Sequence, residues 1–335
     1  VYIRIDFKEK KILFGLTPTI NYLEMVKKYK NHKGHILKIN TNCILILLII
    51  LSCSLLAQTA EQPSGSGTEN DPYLIANLEN LYWMTENSGE WDKYYIQISN
   101  IDASSSSAWD DGQGFIPLGN NSIKFTGFYD GAGYTINDLN INRPSTAFIG
   151  LFGHTLGSTI KDLGVVNVDI TGASRTGGLV GYNKFSSVSH CYSTGSVTGT
   201  DFVGGLVGMV DDSSTVSNCY STSDVNGSGN VVGGLVGKNI SSSVSNCYST
   251  GSVTGSDFVG GIIGSSSWGY AVSGLFWNIN DFSTDNGIGT GITTMEMMDA
   301  YTFCFAGWDF EEDENGNDNG TTGGTNGNGT DNWWD

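Results

Sequence analysis

Between Ile149 and Gly264 the apolar positions do not follow the 3.6-residue stripe of a helix. They come in short alternating runs, as in SSVSHCYSTGSVTG over 186–199, where Val, Ser, Thr and Gly take turns. A helix would lose stability at every Gly of such a run, whereas short strands separated by tight turns suit it. The runs also repeat. Related pentapeptides stand at Ile149–Gly153 (IGLFG), Gly177–Gly181, Gly204–Gly208, Gly233–Gly237 (each GGLVG) and Gly260–Gly264 (GGIIG), at spacings of 28, 27, 29 and 27. A second motif, V-S-x-C-Y-S-T, falls between them and places Cys191, Cys219 and Cys247 at intervals of 28. Val188, Val216, Val244 and Val272 keep that interval, as do Tyr192, Tyr220, Tyr248 and Phe276.

A unit this short cannot bury its own apolar face and must stack on its neighbours. The expected fold is all-β: a right-handed parallel β-solenoid of Gly-rich coils about 28 residues long. Neighbouring coils would lie about 4.8 Å apart, so roughly seven of them would make a rod on the order of 35 Å long. The glycines of GGLVG have two candidate roles, supplying φ > 0 at a corner or letting two backbones approach closely. No phosphate-binding pattern opens a helix here.

Composition agrees with a β-rich body: 46 of the 335 residues are Gly, 5 are Pro and 15% are charged. Charge is unevenly spread. After Ala57, seven basic residues face 31 acidic ones, a formal −24. So acidic a body repels phosphate backbones and anionic membrane surfaces, which excludes nucleic acid as an expected partner.

The first 57 residues read as export machinery. Residues 1–24 precede Met25 and are taken as upstream sequence or an extended n-region. Residues 25–57 have the layout of a signal peptide, with Lys27, Lys28, Lys30, Lys33 and Lys38 before an apolar run from Cys43 to about Leu56, and cleavage after Ala57. The alternatives are an anchor, for which about 14 apolar residues are short, and lipidation at Cys53 in a loose lipobox.

Past the repeats the sequence resembles a known family on both sides. S-D-F-V-G-G-(I/L)-(I/V)-G and S-N-C-Y-S-T-G-S-V resemble the GLUG-motif repeats of bacterial surface proteins. The lead-in DPYLIANLENLYWM resembles that family's short capping helix, and FIPLG with FTGFYDGAGYTINDLNI resembles its entry segment. LFWN, GITTMEMMD and GWDF resemble its closing segment. Coverage runs from about Gly67 to Phe310. The resemblance implies an exported protein with an adhesin-like or cell-surface role, and it implies no defined catalytic activity. After GWDF the pattern departs: an acidic Gly/Asn-rich stretch intervenes, so a further strand or domain beyond Asp335 is expected.

The resulting layout is an N-terminal cap over 58–100 with a helix around Leu78–Met84, a β-solenoid over 101–280, a closing segment over 281–310 and an acidic loop or linker over 311–335. Within it, Cys191, Cys219 and Cys247 read as a buried ladder, because Leu163 and Leu275 occupy the equivalent positions before and after them. A disulfide or metal site is the alternative. Tyr192, Tyr220, Tyr248 and Phe276 would stack one position later on the outer face, as plain packing or as a strip facing a ligand such as a sugar ring. His190, Asn218 and Asn246 read as turn residues. Asp201 and Asp257, two coils apart, read as solvated corners, and the tail EEDENGNDNG as an acidic linker.

Lys161, Arg175, Lys184 and Lys238 stand in unrelated places in the repeat, which disfavours the clustered base that a polysaccharide lyase needs. No catalytic, cofactor or metal residue is therefore expected. The functional expectation is a secreted or cell-surface adhesion module whose partner is a polysaccharide or an extracellular protein. The alternatives are a structural stalk presenting another domain and a carbohydrate-active β-helix enzyme.

Overall fold

A computed structural model describes residues 2–6, 11–15, 58–267, 272–280, 288–299 and 302. The segment 25–57 expected to be a signal peptide, which includes Cys53, lies outside them, as do Cys304 and the acidic stretch 311–335. The chain divides into two units, Val1–Ala57 and Gln58–Asp335. In the first, Tyr2–Asp6 pairs antiparallel with Lys11–Gly15.

The second unit is a β-solenoid of parallel strands. Its three sheets have 16, 5 and 4 strands. The five-stranded sheet stacks Phe152–Leu156, Val180–Lys184, Val207–Asp211, Val236–Ile240 and Ile263–Ser267. The large sheet carries a longer ladder, which runs Tyr73, Tyr95, Tyr129, Ile160, Val188, Val216, Val244 and Val272. Complete coils therefore number about five, fewer than the roughly seven expected from length. The earliest rungs, Tyr73–Ile75, Tyr94–Gln97 and Phe128–Asp130, add to one face, and the chain between them passes through helical and 3₁₀ turns.

The core is a set of vertical columns, each filled by one position of the repeat. Leu151, Leu179, Leu206, Leu235 and Ile262 are fully buried, as are Phe152, Val180, Val207, Val236 and Ile263 beside them. These are the apolar residues of the pentapeptides. Alternation along each strand then sends the residue between inward positions outward.

The glycine pair next to this core serves close approach. Neither Gly204 nor Gly205 has positive φ. A Cβ on Gly204 would lie 2.1 Å from the Val207 carbonyl oxygen, and one on Gly205 2.1 Å from Ser221 Oγ and 2.3 Å from the Gly234 carbonyl oxygen of the next coil. The left-handed corner falls one or two residues earlier, on Phe148, Arg175, Phe202, Val231 and Phe258, with φ between 49° and 67°.

At the N-terminal end α1 (Leu78–Glu86) buries Leu78, Leu81 and Met84. Asn77 caps it by accepting from the Asn80 amide at 2.8 Å, and Asn80 Oδ1 accepts from the Ala76 amide at 3.0 Å. The first of these bonds satisfies a donor that a helix start leaves free. At the other end Thr290–Ile292 pairs with Val272–Asn278 and leads into α2 (Thr294–Met297), which has a capping box from Thr293 and Glu296.

One column is polar. Thr155, Asn183, Val210, Asn239 and Ser266 lie in register. Thr155 Oγ1 donates to Asn183 Oδ1 at 2.9 Å. Asn239 has Val210 above it, which has no donor, and its buried Oδ1 is left without a partner.

Two outcomes follow from these contacts. Gly205→Ala forces backbone apart between coils, and urea denaturation should show a loss of about 1–3 kcal/mol, as for an overpacked core. Val210→Thr supplies the missing donor to Asn239 and should raise stability by about 1 kcal/mol; an unchanged or lower midpoint would contradict this account of the column.

Candidate functional site

The V-S-x-C-Y-S-T motif builds two neighbouring ladders. Cys219 pairs in register with Cys247, and Cys247 with Leu275. Cys191, Cys219 and Cys247 are free thiols with at most 2% exposure. Each lies within hydrogen-bond reach of the carbonyl two residues before it: Ser189, Ser217 and Ser245, at 3.2, 3.1 and 3.0 Å. Burial pushes the Cys191 and Cys247 thiols well above their ordinary range, so the nucleophilic thiolate is disfavoured there.

One position on, the tyrosines stack. Ring centroids of Tyr192 and Tyr220 are 4.7 Å apart at 5°, and those of Tyr220 and Tyr248 are 4.8 Å apart at 9°. The ring of Tyr192 lies over Gly164, where a Cβ would come within 2.4 Å of it. Tyr248 and Phe276 are buried together with Ile292 and Met297 of the closing segment. The rings thus turn their faces to one another. Tyr192 and Tyr220 are half-buried, while Tyr248 and Phe276 are covered. Stacking a sugar on an aromatic needs an open ring face, and this strip uses its faces internally.

The corner before Leu163 and before each Cys is left-handed, at Asp162, His190, Asn218 and Asn246. His190 Nδ1 lies 3.4 Å from Asp162 Oδ1, and Asn218 Nδ2 3.1 Å from His190 Nε2. Lys161 bridges Asp130 and Asp162, each at 2.7 Å. This corner is a polar ladder in which the side chains satisfy one another. Asp201 is likewise engaged, its Oδ1 accepting from the Asn230 amide at 2.8 Å, and Asn230 stands between it and Asp257 in register. Among the described residues no group of three or more His, Cys, Asp or Glu is placed to hold a metal ion.

A further cluster forms on the outward face of the five-stranded sheet. His154, Tyr182, Met209, Lys238 and Ser265 lie in one column. Beside it runs the left-handed corner column Phe148, Arg175, Phe202, Val231 and Phe258. Arg175 Cζ lies 5.1 Å from the Phe148 centroid, 5.5 Å from Tyr182 and 5.6 Å from Phe202. Lys238 Nζ lies 5.2 Å from that same Phe202 ring. His154 stacks on Phe148 at 5.2 Å and 9°, with Tyr182 at 4.6 Å.

Cations that the spacing puts in unrelated parts of the repeat are therefore gathered on one ring. The gathering needs two columns from different sides of the corner, which a linear comparison of repeats does not align. The available signal was local: Arg175 occupies the slot held by Phe148, Phe202 and Phe258.

Polar atoms in this cluster are short of partners. Both ring nitrogens of His154 and Nε of Arg175 are buried and unbonded. Burial, with Lys124, Lys184 and Arg175 nearby, lowers the His154 pKa to about 4.

Two of the five pentapeptides, Gly177–Gly181 and Gly233–Gly237, together with Arg175, Tyr182 and Lys238, sit within segments that match a family model. Residues 172–198 and 228–254 match the GLUG motif. Two segments of the solenoid thus carry the GLUG motif.

Two curated relatives and one solved structure resemble this GLUG-repeat chain. It is 38% identical over 157 residues to halomucin of Haloquadratum walsbyi, covering 45% of the chain and 2% of that protein. It is 34% identical over 135 residues to a protein of Evansella cellulosilytica named provisionally as a Gly-rich membrane protein, covering 39% of the chain and 14% of that protein. The chain thus spans a small part of these relatives. A solved structure from Bacteroides ovatus, described provisionally as an immunoglobulin A1 protease, shares the fold with a TM-score of 0.52 and 23% identity, over 64% of this chain and 68% of that one. Among the described residues no helix is long and apolar enough to cross a membrane.

Two measurements check this geometry. Alkylation mapped by mass spectrometry should leave Cys191, Cys219 and Cys247 unmodified in the native protein and modify all three in urea. His154, neutral when folded, has its pKa depressed below 6.5 to about 4. The unfolded chain therefore takes up the proton first, and stability falls as pH drops from about 6.5 towards 4. His154→Phe should flatten that part of the thermal-stability profile; an unchanged slope would contradict it.

Proposed function

We propose that the chain is a non-catalytic surface module that binds an extracellular partner, with a polysaccharide preferred. The observation that carries this reading is the use made of its reactive groups. The thiols are buried in a ladder, Asp201 caps a backbone amide, Lys161 holds two carboxylates, and His190 sits in a polar corner. What is left facing outward is a set of repeated columns, which suits an extended partner better than a single reacting bond. The names of the two curated relatives, one mucin-like and one a membrane protein, point to a surface setting. Export by the signal peptide at 25–57 belongs to the same proposal. The protease description belongs to the Bacteroides protein, and a shared fold carries no activity with it.

A second reading is favoured by one fact. The chain covers only 2% and 14% of its relatives, so the matched segment is a small part of a much longer polypeptide in each. A spacer that holds other domains away from the cell would fit that proportion.

Affinity electrophoresis against a panel of polysaccharides, with each polymer checked afterwards for length, tests the binding reading. Selective retardation with intact polymer is the expected result. Shortened polymer would overturn the non-catalytic reading, and the absence of any retardation, with extracellular proteins also failing to bind, would favour the spacer.

A further inference from the structure

The Phe148–Arg175–Phe202 corner and the Tyr182–Lys238 column form an oddly charged patch. The chain carries a net charge of −18, and four of the seven cations after Ala57 are neutralised locally. Arg143 pairs with Asp110, Lys161 with Asp130 and Asp162, Lys184 with Asp212, and Lys93 with Asp92. Arg175 and Lys238 have no acidic partner among the described residues. They approach the Phe202 ring from the coil before it and the coil after it.

Arg175 also stands in a column that is otherwise Phe, Phe, Val and Phe. Its Nε is buried without an acceptor, as are both nitrogens of the neighbouring His154, which is 5% exposed. A buried donor left unpaired costs about 1–3 kcal/mol. A well-packed apolar side chain in that slot would avoid the cost. The aromatic walls hold the guanidinium in place, and no acidic group among the described residues answers its charge. Nearby acids are already engaged: Asp211 accepts from the Tyr182 hydroxyl at 2.7 Å, and Asp212 pairs with Lys184.

We infer that this face, centred on Arg175 and Lys238, is a binding site for a carboxylate-bearing polysaccharide lying along the solenoid axis. The inference rests on the binding-module reading and names its site and ligand class. The two cations belong to coils separated by about 9.6 Å, twice the inter-strand spacing. A single small anion would not need such a spread, whereas a polymer with acidic groups at a regular interval meets both. An acidic peptide is disfavoured because Val180–Lys184, Val207–Asp211 and Val236–Ile240 are each paired on both sides. No free strand edge is offered there for backbone pairing. Near 0.1 M salt a charge reaches only about 10 Å, so the patch acts locally despite the acidic body.

The test is affinity electrophoresis of the full chain in gels containing polygalacturonate, neutral dextran or poly-glutamate at 0.1 M ionic strength, to the order of the Debye length used above. Polygalacturonate alone should retard the protein. Arg175→Gln or Lys238→Gln should each weaken retardation roughly tenfold, about the worth of one charged hydrogen bond. Lys93→Gln, away from the face, should leave it unchanged. If Arg175→Gln fails to fold, Lys238→Glu, on a half-buried side chain, serves in its place and should abolish retardation. Equal retardation by dextran or poly-glutamate would overturn the ligand class. Polygalacturonate binding that neither variant moves would overturn the site while leaving the binding module standing. Binding to a different polymer of a wider panel, without binding to polygalacturonate, would overturn this inference alone. Binding to nothing would overturn both.

Discussion

A single coil of this chain cannot fold by itself, because the apolar side chains of one turn meet only those of the turns above and below. Everything else depends on that in-register stacking. It sets the spacing of the pentapeptides, since a Leu or Val must return to the same column each time. It also fixes where small residues are required. Gly204 and Gly205 are glycines because two carbonyl oxygens and Ser221 Oγ lie where a side chain would begin, at 2.1–2.3 Å. Backbone freedom is used elsewhere, at corner residues such as Phe202, with φ 56°.

Stacking also decides what chemistry the surface retains. Identical residues in adjacent coils fall on one another about 4.8 Å apart. Tyrosines in that arrangement spend their ring faces on each other, and cysteines become a dry column. Polar residues close into ladders, as Asp162, His190 and Asn218 do. Departures from the repeat are what leave valence unspent. Val210 interrupts one polar column and orphans Asn239 Oδ1. Arg175 interrupts an aromatic column and leaves a cation without a counter-charge among the described residues. In a repeat protein, function is best sought at such irregularities.

Much of this fold was legible in the sequence because its period is strict. The V-S-x-C-Y-S-T spacing places Val188, Val216 and Val244 in one ladder and Cys219 on Cys247, and the structure shows those pairings. The number of complete coils was less legible, since the lead-in carries rungs without the Gly-rich corner. The Arg175–Lys238 face was not legible. Arg175 and Lys238 lie 63 positions apart and in different parts of the repeat. Only the turn between two sheets brings them onto Phe202. The exposure of the tyrosine strip could not be read either, because it depends on Ile292 and Met297 of the closing segment folding back over Tyr248 and Phe276.

If stability is a sum over neighbouring coils, one whole coil should be removable. Deleting residues 205–233 joins Gly204 to Gly234 and restores an intact GGLVG. Circular dichroism with small-angle scattering on that variant is the most direct test. The stacked-coil account predicts a folded β protein with one cooperative melt and a long axis shorter by about 4.8 Å. Loss of the β signal, or a chain that expands instead of shortening, would contradict it.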